Sequence, residues 1–150
     1  DTDAINLVRR IDTPSTDFTY GFQWPIKGRI SGVFGSQRIL NGKPRRPHNG
    51  IDIAAPSGTP IYAPAPGRVA LTHRGMFFSG KTIVIDHGHG LTSIYVHLSE
   101  ITVRKGDRIK AGKKIGTVGM TGRATGPHLH WGVTWFQTHL DPELLVGPMH

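Results

Sequence analysis

Glycine and proline punctuate this chain so densely, at 20 and 11 of its 150 residues, that long helices have little room. Both residues break helices and shape turns, which favours many short strands joined tightly. The stretches between the breaks agree. "RISGVF" (29–34), "GIDIAA" (50–55), "RVALTH" (68–73), "KTIVIDH" (81–87), "LTSIYVHL" (91–98), "KKIGTVG" (113–119) and "HLHWGVTWF" (128–136) read as strands. Several alternate apolar with polar residues, as half-buried antiparallel strands do. "DHGHGL" (86–91) joins two of them through Gly88 and Gly90, a hairpin signal. In the tail, "LDPELLVG" (140–147) offers one turn of helix after Asp141-Pro142. The expectation is an all-β single domain of antiparallel strands, since a chain of this length buries one real core but not two. Residues 1–22 are polar, carry the breaker cluster "DTPST", and read as a linker or the tail of a missing N-terminal region. The domain is expected over 23–150.

The formal charge of +8 is unevenly spread. Asp1, Asp3, Asp12 and Asp17 sit in the first 17 residues; from residue 18 onward 16 basic residues stand against 6 acidic ones, leaving +10. Such a surface attracts nucleic acid, anionic lipid or anionic cell-wall polymer, or simply keeps a basic face solvated. Nucleic acid is disfavoured, because the basic residues do not interleave with aromatics as single-strand binders require and no groove-reading motif occurs. No apolar run approaches the roughly 20 residues that span a bilayer. The absence of cysteine removes disulfides, thiolate nucleophiles and Cys-based zinc sites together. The chain opens on Asp1 rather than methionine, so it reads as a processed form or a fragment, and the lack of a signal peptide carries no weight.

Nine histidines need sorting. In a strand, side chains at i and i+2 share a face, so His128 and His130 stand together while Leu129, Trp131, Val133 and Trp135 form an apolar face. In "RPHNGIDIAAP" (46–56), His48 and Asp52 converge by the same parity, with Ile51 and Ile53 turned to the core. In "SIYVHLS" (93–99), Ile94, Val96 and Leu98 alternate with Ser93, Tyr95 and His97, which places His97 on the polar face. Tyr95 shares that face and either lines a cleft or packs beside it. Each motif alone has a plainer explanation: a surface ion pair, a hydrogen-bonded structural histidine, two polar positions on an edge strand. Three of them on polar faces of strands, with glycine-rich turns nearby, point to a site. Imidazole and carboxylate are ordinary zinc ligands, and catalytic zinc sites take three protein ligands plus an open position. His48, Asp52 and one further histidine meet that count. No H-E-x-x-H helix is present. His87 and His89 form a second H-x-H pair, but in the hairpin "DHGHG" they read as turn residues, with a surface metal site as the alternative. His73, His139 and His150 read as surface or structural.

The chain resembles the lysostaphin/LytM-type zinc metallopeptidases, which cut peptidoglycan peptides. The matching motifs are "HNGIDIAAPSGTPIYAPAPGRV" (48–69), "IDHGHGLTSIYVHLS" (85–99), "VRKGDRIKAGKKIGTVGMTGRATGPHLHWGV" (103–133) and "GRISGVFGSQR" (28–38), in that family's order. The resemblance implies a groove between antiparallel sheets, a duplicated hybrid motif distantly similar to lipoyl and biotinyl carriers. It implies one zinc ion held by His48, Asp52 and His130, with His97 and His128 as catalytic histidines beside the metal's water. It further implies a peptidoglycan substrate, most simply a D,D-crosslink between peptide stems, and a cell-envelope location, periplasmic or extracellular. A missing N-terminal regulatory region or other envelope proteins join the possible partners. Family members often carry an acidic residue just after the H-x-H pair, where this chain has Trp131-Gly132-Val133. That departure bears on rim or packing. The basic stretch "SQRILNGKPRRP" (36–47) is expected to line one groove wall.

Two other readings compete. Relatives of this fold that lose zinc ligands serve as regulators or activators of other wall hydrolases, but all five positions are kept here. The stretch "VRKGDRIKAGKKIGTVG" (103–119) is similar to lipoyl, biotinyl and sugar-phosphotransferase carrier hairpins, where a histidine such as His97 takes phosphate. The His48–Asp52 pair has no role in that chemistry.

Overall fold

The computed structural model describes residue 5 and residues 22–36, 39–40, 43–44, 48–76, 80–122 and 126–149. Among these are twelve strands: β1 (Arg29–Gly32), β2 (Ile39–Leu40), β3 (Lys43–Pro44), β4 (Ile51–Ala54), β5 (Pro60–Tyr62), β6 (Gly67–Met76), β7 (Gly80–Gly88), β8 (Leu91–Ile101), β9 (Arg108–Ile109), β10 (Lys114–Val118), β11 (His128–Trp135) and β12 (Thr138–Leu140). One antiparallel sheet runs in the order β1-β4-β11-β8-β7-β6-β9; β12 folds back on β11, and β10 pairs with both β8 and β5. β2 and β3 pair separately. All seven expected strands are present. The ones that sequence reading passed over, β2, β3, β5, β9 and β12, have two or three residues each, too few for a period of two to declare itself. The tail holds a single 3-10 turn, Pro142–Leu145, in which the Asp141 carboxylate accepts from the Glu143 amide at 3.0 Å. Most of residues 1–22 and of the basic stretch 36–47, the expected linker and groove wall, lie outside the described residues.

Alternation builds the main core. Ile51 and Ile53 of β4, Ile83 and Ile85 of β7, Leu129, Trp131 and Val133 of β11 and Ile115 of β10 are all essentially inaccessible and belong to one cluster. Each such side chain contributes about 1.5–3 kcal/mol through burial. Trp24 packs edge-on against Trp131, with ring centroids 6.1 Å apart. A smaller cluster of Ile5, Val84, Ile94 and Val96 covers the opposite face of β7 and β8. Trp135, expected on the core face, is instead half exposed near the end of β11, where its Nε1–H donates to the His89 carbonyl.

β8 departs from simple alternation. Ile83 pairs with Tyr95 and Lys81 with Leu98, so two steps along β7 face three along β8. The extra residue is a bulge, and within it His97 has φ of 66°, a left-handed backbone rare for a side chain of this size. The bulge flips the parity, which corrects the expected arrangement. Tyr95 and Leu98 both enter the main core, whereas Ile94 and Val96 face the other way. Tyr95 therefore lines no cleft. It is fully buried, and its hydroxyl lies 2.7 Å from Ser93 Oγ, which lies 2.7 Å from His87 Nε2. His87 Nδ1 meets the Pro66 carbonyl at 2.8 Å. Because a carbonyl only accepts, Nδ1 donates there, and a neutral ring takes the Ser93 hydroxyl proton at Nε2. His87 is thus an inaccessible strand residue stacked edge-on against Phe22, not the turn residue expected from "DHGHG".

Candidate metal centre

Three adjacent strands assemble the site. β4 pairs with β11 so that Asp52 stands opposite His130, and β11 pairs with β8 so that His130 stands opposite Val96. With Leu129 and Trp131 committed to the core, His128 and His130 emerge on the other face, as parity requires. The β8 bulge turns His97 toward the same place, its ring 4.9 Å from that of His128. His48 comes from the segment before β4 and is strapped down by its backbone. Its carbonyl accepts from Gly35 and its amide donates to Ser36, both at 2.7 Å. All five residues singled out from sequence converge.

Each imidazole is aimed by a partner. His48 Nδ1 lies 3.0 Å from the Val33 carbonyl, His97 Nδ1 2.7 Å from that of Thr121, and His128 Nδ1 2.9 Å from that of Gly126. A carbonyl cannot donate, so these three Nδ1 atoms carry protons, and the lone pair of the neutral form is at Nε2. His48 Nε2 is 3.4 Å from Asp52 Oδ2, and His128 Nε2 is 3.6 Å from Asp52 Oδ1. His130 differs: its Nδ1 faces Asp52 Oδ1 at 2.9 Å. The carbonyl anchors come from Val33, Thr121 and Gly126, whose side-chain types carry no signal of the role. Sequence reading had no means of finding them.

Burial disfavours the charged form of Asp52, but hydrogen bonding from His130 and His48 and their positive potential outweigh it. The carboxyl is held well below the ordinary carboxylate range. His97 is shifted below the ordinary histidine value by burial, reinforced by His128 and His130 and opposed by its bond to Thr121. The site therefore offers an anionic oxygen beside imidazoles, whose neutral forms are lone-pair donors.

That donor set suits a metal. Donor atoms of His48, Asp52 and His130 all lie within 4.8 Å of one another. In a tetrahedral zinc shell with bonds of 2.0–2.1 Å, neighbouring donors sit about 3.3 Å apart, close to the 3.4 Å between His48 Nε2 and Asp52 Oδ2. A carbonyl holding the remote nitrogen of His48 is the usual outer support of a metal-binding imidazole. The space is already tight. A Cβ on Gly32 falls 2.7 Å from Asp52 Oδ2 and 3.3 Å from His48 Cε1. Gly32→Ala is therefore expected to displace the carboxylate and weaken Zn(II) affinity about tenfold or more, read by competition with a chelating dye on protein whose circular dichroism is unchanged. An apolar groove of about 680 Å³, lined by Trp24, Pro60, Tyr62 and Met149 among others, contains none of the five site residues.

Comparison with known proteins finds relatives among peptidases. The description of peptidase family M23 matches residues 46–142. The chain is 45% identical over 112 residues to the peptidoglycan DD-endopeptidase ShyA of Vibrio cholerae, covering 73% of this chain and 26% of that protein. Among solved structures, a zinc-containing peptidase from Vibrio cholerae superposes with a TM-score of 0.76 at 35% identity, over 81% of this chain and 39% of that one. The catalytic domain of lysostaphin from Staphylococcus simulans gives a TM-score of 0.67 at 30% identity, over 77% of this chain and 89% of that domain. The chain spans about a quarter of the length of its endopeptidase relatives from Vibrio cholerae.

Proposed function

The chain belongs to peptidase family M23, and from that membership we propose that it is a zinc-dependent endopeptidase that hydrolyses the peptide crosslinks of bacterial peptidoglycan. One observation carries the reading: His48, Asp52 and His130 converge on a single point, with His97 and His128 side by side next to them. The first three hold one zinc ion per chain, and the other two serve the reaction. Zinc bound there would supply Lewis acidity, polarising a scissile carbonyl and lowering the pKa of water.

The remaining chemistry belongs to the histidines. With its Nδ1–H committed to Thr121, His97 presents Nε2 as a proton acceptor. Burial leaves more of that ring neutral than an exposed histidine would be at the same pH. His128, held likewise by Gly126, stands beside it. Together they orient the attacking water, carry its proton to the leaving amine and donate to the developing oxyanion. The bond cut is a D,D-crosslink, as named for ShyA and ShyB. The excess of basic residues after position 17 suits an anionic wall polymer. The enzyme acts in the cell envelope, periplasmic or extracellular; no helix among the described residues is long and apolar enough to cross a membrane.

Mass spectrometry of purified peptidoglycan after incubation, with and without a zinc chelator, tests this reading. Chelator-sensitive conversion of crosslinked dimers to monomers is expected, and the fragment masses name the bond. Intact muropeptides with zinc fully bound would overturn it in favour of a regulator of other wall hydrolases.

A further inference from the structure

We propose that Thr121 is a positioning residue for His97, its carbonyl fixing the tautomer and direction of the ring while its hydroxyl locks that carbonyl between β7 and β8. The proposal rests on the assignment of His97 to the reaction. Thr121 makes three contacts here, one through its backbone oxygen and two through its hydroxyl. Its backbone oxygen takes the Nδ1 proton of His97 at 2.7 Å. Its side-chain hydroxyl donates to the Leu98 carbonyl at 2.7 Å and accepts from the Lys81 amide at 3.0 Å. One hydroxyl thus ties the segment after β10 to the residue following His97 and to the start of β7.

The surroundings are shaped for this docking. Gly80 has φ of +67°, and a Cβ there falls 2.3 Å from Thr121 Oγ1 and 2.4 Å from its carbonyl carbon. Only a glycine lets Thr121 come this close. Beside it, the Lys81 ammonium donates to the Ser99 carbonyl at 2.8 Å, and Ser99 Oγ donates to the Val118 carbonyl at 2.8 Å. These bonds close around the bulge in β8, where Lys81 pairs with Leu98 and Thr117 with Glu100. A bulge disrupts the ladder locally, and the Thr121 hydroxyl bonds one backbone group on each of the two strands there. A left-handed residue such as His97 persists only when its neighbours over-determine it. Thr121 both braces the bulge and bonds the ring. A free imidazole in water samples both tautomers, whereas this one is committed to Nδ1–H and so presents Nε2 to the site.

The test has a readout independent of turnover. In the unaltered chain, with and without zinc, nitrogen-15 NMR of the His97 ring should show the Nδ1–H tautomer; a dominant Nε2–H form overturns the proposal outright. Thr121→Val keeps the shape but removes the hydroxyl. It is expected to mix the two tautomers and to lower kcat about tenfold to a hundredfold, with KM within about twofold and zinc stoichiometry intact. Thr121→Ser should restore both the tautomer and kcat. A Thr121→Val protein with the original ring signature and kcat, or a serine variant as impaired as the valine one, would refute the role. Should wild-type protein show the expected tautomer but cleave no muropeptide, the proposed function fails while the positioning geometry stands.

Discussion

His130→Ala is expected to yield a folded chain that no longer retains zinc. His130 supplies a donor from β11 to a site whose other donors, His48 and Asp52, come from β4 and the segment before it. Without it the site keeps two donors, short of the three that catalytic zinc requires. Removing an outer support of a metal ligand already costs about 10–100-fold in affinity; losing the ligand itself should exceed that range. Equilibrium dialysis with elemental analysis of the protein reads the loss, and circular dichroism checks the fold. Full zinc occupancy in this variant removes His130 from the ligand set. The variant also takes away the 2.9 Å contact of His130 Nδ1 with Asp52 Oδ1, which helps hold that carboxyl below the ordinary range.

His97→Ala is expected to separate binding from turnover. Zinc stoichiometry stays at the wild-type level, because His97 is not among the three converging donors. The rate should fall about 10²–10⁴-fold, the usual contribution of a positioned proton-transfer group. The pH profile adds a sign. Burial and the nearby His128 and His130 lower the pKa of His97 below the ordinary value of 6.5, so the reactive neutral form survives into mildly acidic solution. The acid limb of kcat/KM in the unaltered enzyme should accordingly fall below pH 6.5. The same shift makes stability decline as pH falls from the unfolded-state value through the folded one, since the unfolded chain binds the proton more readily. Near-normal turnover in the alanine variant would make His97 structural.

Much of this was legible in the sequence because strands encode burial with a period of two. Ile51 and Ile53 against Asp52, and Leu129 and Trp131 against His128 and His130, are read correctly from parity alone. Parity fails where the backbone stops obeying it. Nothing in "SIYVHLS" announces a bulge, so parity puts Tyr95 on the face of His97, lining a cleft or packing beside it, whereas it faces the core. His87 shows a related failure. A histidine next to glycines reads as turn, yet its hydrogen bonds to Pro66 and Ser93 let it enter the core. The carbonyl anchors of the site were out of reach altogether, because every residue has a carbonyl and only the folded chain says where it points.

In the role proposed for His97, its left-handed backbone sets folding and turnover against each other at one position. Holding a bulky residue there costs on the order of 1–3 kcal/mol, a sizeable share of the roughly 5–15 kcal/mol by which a domain is stable. Glycine adopts that conformation freely. A selection for stability alone would therefore replace His97 with glycine, relaxing the strand and discarding the reaction. Protein recovered from such a selection should be sturdier and inert, which makes thermal tolerance a poor guide to activity in this fold.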